Sequence, residues 1–218
     1  MPSVSRRMAS KARRTALGIR QTVDDPYSSH LPVLAGLARV AHISSVLELG
    51  SGAFSTPQFL DRRVFPALAA LTSLEDDADW LSTVAESTGS DPRLDLRLVQ
   101  KVCTSVPNGL DQFDLIFIDD SRTFAERSQT IRAVLSEKPR GLVAIHDFEH
   151  RAYRKAAKGF DHRFTFKAYT PQVAVCWIGD GSLHPKLSAL HSKIVRGSQE
   201  LKLAPSDTDR WAQLLSDD

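Results

Sequence analysis

The chain has 218 residues, 42% hydrophobic and 25% charged, with a formal net charge of +2. That supports one compact domain with a sizeable core and short additions, and it excludes a broadly disordered chain. So balanced a charge argues against a dedicated nucleic-acid binder. Cys103 and Cys176 have no metal-ligand spacing and suit a reduced, cytoplasmic compartment, and no run of ~20 apolar residues suggests a membrane span.

Residues 1–23 carry Arg6, Arg7, Lys11, Arg13, Arg14 and Arg20, with no acid before Asp24. They read first as a solvated basic arm, with a transit peptide or a phosphate-touching helix as alternatives. Residues 31–41 place apolar side chains at helical spacing, and 45–49 form an apolar run ending in glycines, which predicts a buried strand. A helix over 55–63 follows, with Ser55 or Thr56 as cap and Pro57 in the first turn. Strand 70–74 precedes a helix over 77–88 that the run Glu75-Asp76-Asp77 opens. Strands over 94–100, 113–118 and 142–145 alternate with a helix over 123–136, and another helix covers 152–158. Residues 163–167 and 173–178 have no helix between them and predict an antiparallel pair. A helical stretch follows Gly181, and Ser206 to Asp209 suits the start of a last short helix around Trp211.

This pattern predicts an α/β fold, a Rossmann-like, seven-stranded, mostly parallel sheet with helices on both faces and a terminal antiparallel pair. The expected organisation is a basic arm over 1–30, a core domain over 31–180 and a helical extension over 181–218. The extension would pack on the core or on a partner subunit, so a homo-oligomer stays open.

In such a sheet, ligands bind beyond the carboxyl ends of the strands, where strand order switches. After the first predicted strand come Gly50, Ser51, Gly52 and Ser55, and after the second Glu75 and Asp76. The fourth is followed by Asp119, Asp120, Ser121 and Arg122, and the fifth by His146, Asp147 and Phe148. A glycine turn with an acid some 25 residues on suggests nucleoside binding, the acid bonding the ribose. A dinucleotide is disfavoured, because Ser55 stands where the third fingerprint glycine belongs and because Glu48 would repel a pyrophosphate.

The stretch ELGSGAFST resembles motif I of class I S-adenosylmethionine-dependent methyltransferases. LTSLEDDADW, FDLIFIDD and GLVAIHD resemble later motifs of that family in the same order, over residues 31–180. The nearest flavour is that of bacterial small-molecule O-methyltransferases. The resemblance implies an enzyme with S-adenosyl-L-methionine as cofactor and a small-molecule acceptor, methylated at oxygen. It implies that Glu48, Gly50, Ser51, Gly52 and Ser55 line the methionine moiety, that Glu75 holds the ribose and that Asp76 helps near the adenine. It places Asp119 facing the methyl donor or acceptor, and adenine contacts around 102–104. Asp119, His146 and Asp147 are the candidate catalytic residues, His146 having the pKa range of a general base. A divalent metal on Asp119, Asp120 and Asp147 is the less favoured alternative, because the family's Asp-Asn pair is missing. Trp80 and Trp177 read as core or cofactor-flanking rings and Cys103 as a small buried residue. An RNA or protein acceptor docked by the arm, or a non-catalytic binding protein, are the competing readings.

Overall fold

The computed structural model describes residues 27–120 and 123–216. The basic segment 1–23, with Ser121 and Arg122, lies outside the described residues. In chain order the elements are α1 (Leu31–Val40), β1 (Ser45–Leu49), α2 (Ser55–Leu60), β2 (Ala70–Glu75), α3 (Ala78–Thr88), β3 (Leu94–Leu98) and β4 (Leu115–Ile118). They continue with α4 (Phe124–Ser136), β5 (Leu142–Ile145), α5 (Arg151–Ala156), β6 (His162–Phe166), β7 (Val173–Trp177), α6 (His184–Gln199) and α7 (Thr208–Ser216). Predicted boundaries shift by a few residues at most.

The seven strands form one sheet in the order β3-β2-β1-β4-β5-β7-β6. The first five are mutually parallel, while β7 runs antiparallel to both β5 and β6. The chain moves outward from β1 to β3 and then returns to β4, so the switch in direction falls between β1 and β4. Strands β4 and β5 are continuous apolar runs, and β1 is apolar apart from Ser45 and the buried Glu48, because both faces are covered. On one face Val46, Phe117, Ala144 and Val175 pack with α1, α6 and α7; on the other Leu47, Ile116, Val143 and Ala174 pack with α4 and α5 residues. The C-terminal stretch lies on the core: Leu187, Leu190, Ile194, Trp211 and Leu215 join the first cluster. Arg97 breaks the apolar pattern within β3. β3 is an edge strand, and Arg97 pairs with Asp95 on its exposed side.

Two helices start on side-chain caps, whereas the cap expected from Ser55 or Thr56 for α2 is not made, Phe54 standing at that position. Asp77 caps α3, its side chain accepting from the N–H groups of Asp79 and Trp80, and Thr123 caps α4 through Glu126 N–H. Among the described residues no helix is long and apolar enough to cross a membrane.

Candidate active site

The parallel register carries on past the strand ends. Leu49 pairs with Leu74 and with Ile118, and Ile118 with Ile145. The next amides continue these ladders: Gly50 N–H donates to Leu74, Asp119 N–H to Leu49 and His146 N–H to Ile118. Glu75, Gly50, Asp119 and His146 therefore form one row across the carboxyl edge of the sheet, spanning the switch point. Side chains in such a row share a face, and the row two residues below, Ser73, Glu48, Phe117 and Ala144, lies on that same face.

Glu48 is fully buried and held by three hydroxyls. Ser55 Oγ donates to Oε1 at 2.5 Å, while Thr56 Oγ1 and Ser73 Oγ donate to Oε2 at 2.7 and 2.5 Å. Ser73 spends its hydrogen on Glu48, so Ser51 Oγ, 2.7 Å away, donates to Ser73. Burial pushes Glu48 up to about 7, and the three hydroxyl bonds only partly offset it. The glycines serve this cradle as well as any ligand. Gly50 has φ 94°, and a Cβ there would lie 2.6 Å from the Asp120 backbone. A Cβ on Gly52 would overlap Ser55 Oγ.

Glu75 accepts the N–H groups of Asp76 and Asp77 on Oε1, both at 3.0 Å, and Oε2 has no partner among the described residues. Burial pushes its carboxyl up to about 7. Asp76 Oδ2 faces the Val102 N–H at 3.3 Å, so the acidic turn after β2 meets the turn after β3 where adenine contacts are expected. Trp80 donates its indole N–H to the Ser51 carbonyl at 2.7 Å and so flanks the glycine turn.

At the other end of the row, Asp119 and His146 meet. His146 Nδ1 lies 3.2 Å from Asp119 Oδ1 and 3.8 Å from Asp147 Oδ1. His146 Nε2 lies 2.8 Å from Ser29 Oγ, which gives its single hydrogen to the Pro171 carbonyl at 2.8 Å. Ser29 can then only accept from the ring, so Nε2 carries a hydrogen and Nδ1 is the nitrogen left to titrate. Burial would lower His146, but the facing Asp119 carboxylate raises it above its ordinary value. Burial would likewise raise Asp119, yet His146 and Arg127 hold it well below the usual carboxylate range. Asp147 sits at φ 56°, a left-handed conformation that aspartate tolerates, where the chain turns out of β5.

Arg127 is the residue the sequence reading misses. Its buried guanidinium reaches Asp119 Oδ1 at 2.9 Å, Asp147 Oδ2 at 2.6 Å and the Asp120 carbonyl at 2.5 Å, with its charge 5.4 Å from the Tyr153 ring centre. A trace was present. Arg127 stands four and seven residues before the buried Ile131 and Val134, on the apolar stripe of α4. Asp120 turns the other way and accepts from Thr130 Oγ1 at 2.5 Å, anchoring α4. Burial pushes Asp120 up to about 6. Asp119, Asp120 and Asp147 therefore do not converge on one ion position; Ser29 and His30, expected in the arm, are buried beside His146 instead.

The sequence matches no protein-family model and none of the curated proteins compared with it. Solved structures do resemble it. Human methyltransferase-like protein 13, in complex with SAH, aligns with 85% of this chain and 92% of its own, with a TM-score of 0.52 and 16% identity. The N-methyltransferase NodS from Bradyrhizobium japonicum WM9 aligns with 72% of this chain and 99% of its own, with a TM-score of 0.50 and 12% identity. The chain thus has the class I methyltransferase fold.

Proposed function

We propose that this protein transfers the methyl group of S-adenosylmethionine to a hydroxyl of a small-molecule acceptor. The observation that carries the reading is the row Glu75, Gly50, Asp119 and His146 at the switch point, with a ligand-ready carboxylate oxygen at one end and a proton-accepting pair at the other. The residues fit the cofactor. Glu75 Oε2, without a partner among the described residues, suits a ribose hydroxyl, and the Gly50–Gly52 turn with the Trp80 ring beside it suits the methionine end. Asp76 and the 102–104 turn border the adenine side.

When bound, S-adenosylmethionine supplies an electrophilic methyl on a sulfonium, and its transfer leaves the sulfur with the bonding electron pair as a neutral thioether. The chain's own residues then have two tasks. One is alignment of the acceptor oxygen, which is worth several kcal/mol in a displacement. The other is removal of the acceptor's proton as the O–C bond forms. Asp119 Oδ2, without a partner among the described residues, accepts a hydrogen bond from the acceptor hydroxyl, and the released proton comes to rest between Asp119 and His146 Nδ1. Ser29 fixes the His146 ring so that Nδ1 faces the carboxylate, and Arg127 holds Asp119 and Asp147 in place.

Calorimetric titration with S-adenosylmethionine, SAH and NAD tests the reading. Both sulfur nucleosides should bind at one site per chain. Binding of NAD with neither sulfur nucleoside bound would overturn it.

A further inference from the structure

His30 is buried beside the row, with only 2% of its surface exposed. Its ring packs 5.0 Å from Phe117 and edge-on to His146 at 4.9 Å. Neither ring nitrogen has a hydrogen-bond partner among the described residues. A buried polar group left in that condition is costly, which calls for a reason.

One ring nitrogen of His30, one carboxylate oxygen of Asp119 and one ring nitrogen of His146 lie within 4.8 Å of one another. They come from three separate parts of the chain: the turn before α1 and the ends of β4 and β5. We propose that His30, Asp119 and His146 form a binding site for a divalent first-row transition ion. Two imidazoles and one carboxylate favour such an ion over magnesium or calcium, which take mainly oxygen. The surroundings have the arrangement that ligating residues need. His146 gives its Nε2 hydrogen to Ser29, which fixes the tautomer that turns the Nδ1 lone pair toward Asp119. Arg127 braces the Asp119 carboxylate through Oδ1, the oxygen that His146 Nδ1 also faces. This site differs from three clustered acids, since Asp120 and Asp147 are engaged by Thr130 and Arg127. With His146 Nδ1 and Asp119 engaged as its ligands, an ion here would take over from that pair by polarising the acceptor hydroxyl. That use, though not the binding itself, rests on the methyl-transfer reading.

The test is a titration of the full chain with Zn²⁺, following the imidazole nitrogens of its seven histidines by NMR, with Co²⁺ absorption as a second readout. Signals of two buried histidines should shift together at one equivalent, and Co²⁺ should give ligand-field bands of nitrogen and oxygen coordination. His30→Gln should abolish the shift at His146 and weaken binding at least tenfold, while Ser29→Ala should weaken it by about tenfold. Failure of His30 and His146 to respond in the wild-type protein would overturn the proposal without any variant having to fold. S-adenosylmethionine binding is measured on the same samples. Cofactor binding without an ion response sinks the metal site alone, whereas an ion response without cofactor binding leaves the site standing and sinks the methyl-transfer reading.

Discussion

Substitution of Glu48 by glutamine should flatten much of the protein's stability-versus-pH curve. The side chain is fully buried, and its carboxyl is raised from 4.5 to about 7. A raised carboxyl favours the folded state while it is protonated. The contribution is complete below about pH 4.5 and is lost as pH rises through 7. At ~1.4 kcal/mol per pKa unit, the loss between pH 4.5 and 8 comes to about 3 kcal/mol. Glutamine keeps the volume and the acceptor oxygen for Thr56 and Ser73, and its amide can donate to Ser55, so the cradle stays satisfied. Urea unfolding of both proteins at pH 5, 6, 7 and 8 measures the difference. Relative to wild type, Glu48→Gln should gain about 2.5 kcal/mol between the lowest and highest pH. Parallel curves would refute the reasoning, showing that the three hydroxyls hold Glu48 ionised throughout.

Two further outcomes follow from the row. Arg127→Met should cost about 3–5 kcal/mol in urea unfolding, because it strands the Asp119 and Asp147 carboxylates without their cation, and adding Asp147→Asn should return part of that loss; a cost below about 1 kcal/mol would show that the carboxylates are solvated. Glu75→Gln should weaken S-adenosylmethionine binding at least about tenfold, through loss of a charge-assisted bond. Calorimetry should also show wild-type affinity rising from pH 6 to 8 as Glu75 ionises near 7, and Glu75→Gln without that rise. Unchanged affinity would mean the ribose lies elsewhere.

Much of this architecture was legible in the sequence because strands buried on both faces announce themselves. Leu115 to Ile118 and Leu142 to Ile145 are unbroken apolar runs, and their order with the intervening helices predicts the parallel sheet. The acids at the strand ends were legible for the same reason. What they touch was not. Glu48 reads as a ligand-facing acid, yet its partners Ser55, Thr56 and Ser73 depend on how α2 and β2 fold over it. Ser29 and His146 are 117 residues apart, and no local pattern links them. His30 stands just before the first apolar helix and carries no periodic signal. Arg127 left a trace only as a charge on an apolar helical stripe, which propensity alone treats as a surface residue.

The meeting of Asp119 with His146 is nevertheless a consequence of the apolar runs that precede them. Four buried residues of β4 lie level with four of β5, Leu115 against Leu142 through Ile118 against Ile145. Sliding one strand by a single residue would turn its apolar side chains to the other face, at a cost spread over both core clusters. The packing of the sheet thus fixes the register, and the register delivers the next residue of each strand, Asp119 and His146, to one face at one level. The same argument brings Gly50 beside Asp119 and Glu75 beside Gly50. The polar row is therefore positioned by hydrophobic contacts below it. Polar side chains from outside the sheet then complete it: Ser29 sets the imidazole, and Arg127 reaches from the opposite face to hold the carboxylates. A substitution in the row should alter chemistry with little effect on strand order, whereas one at Phe117 or Ile118 should disturb the site through the fold itself.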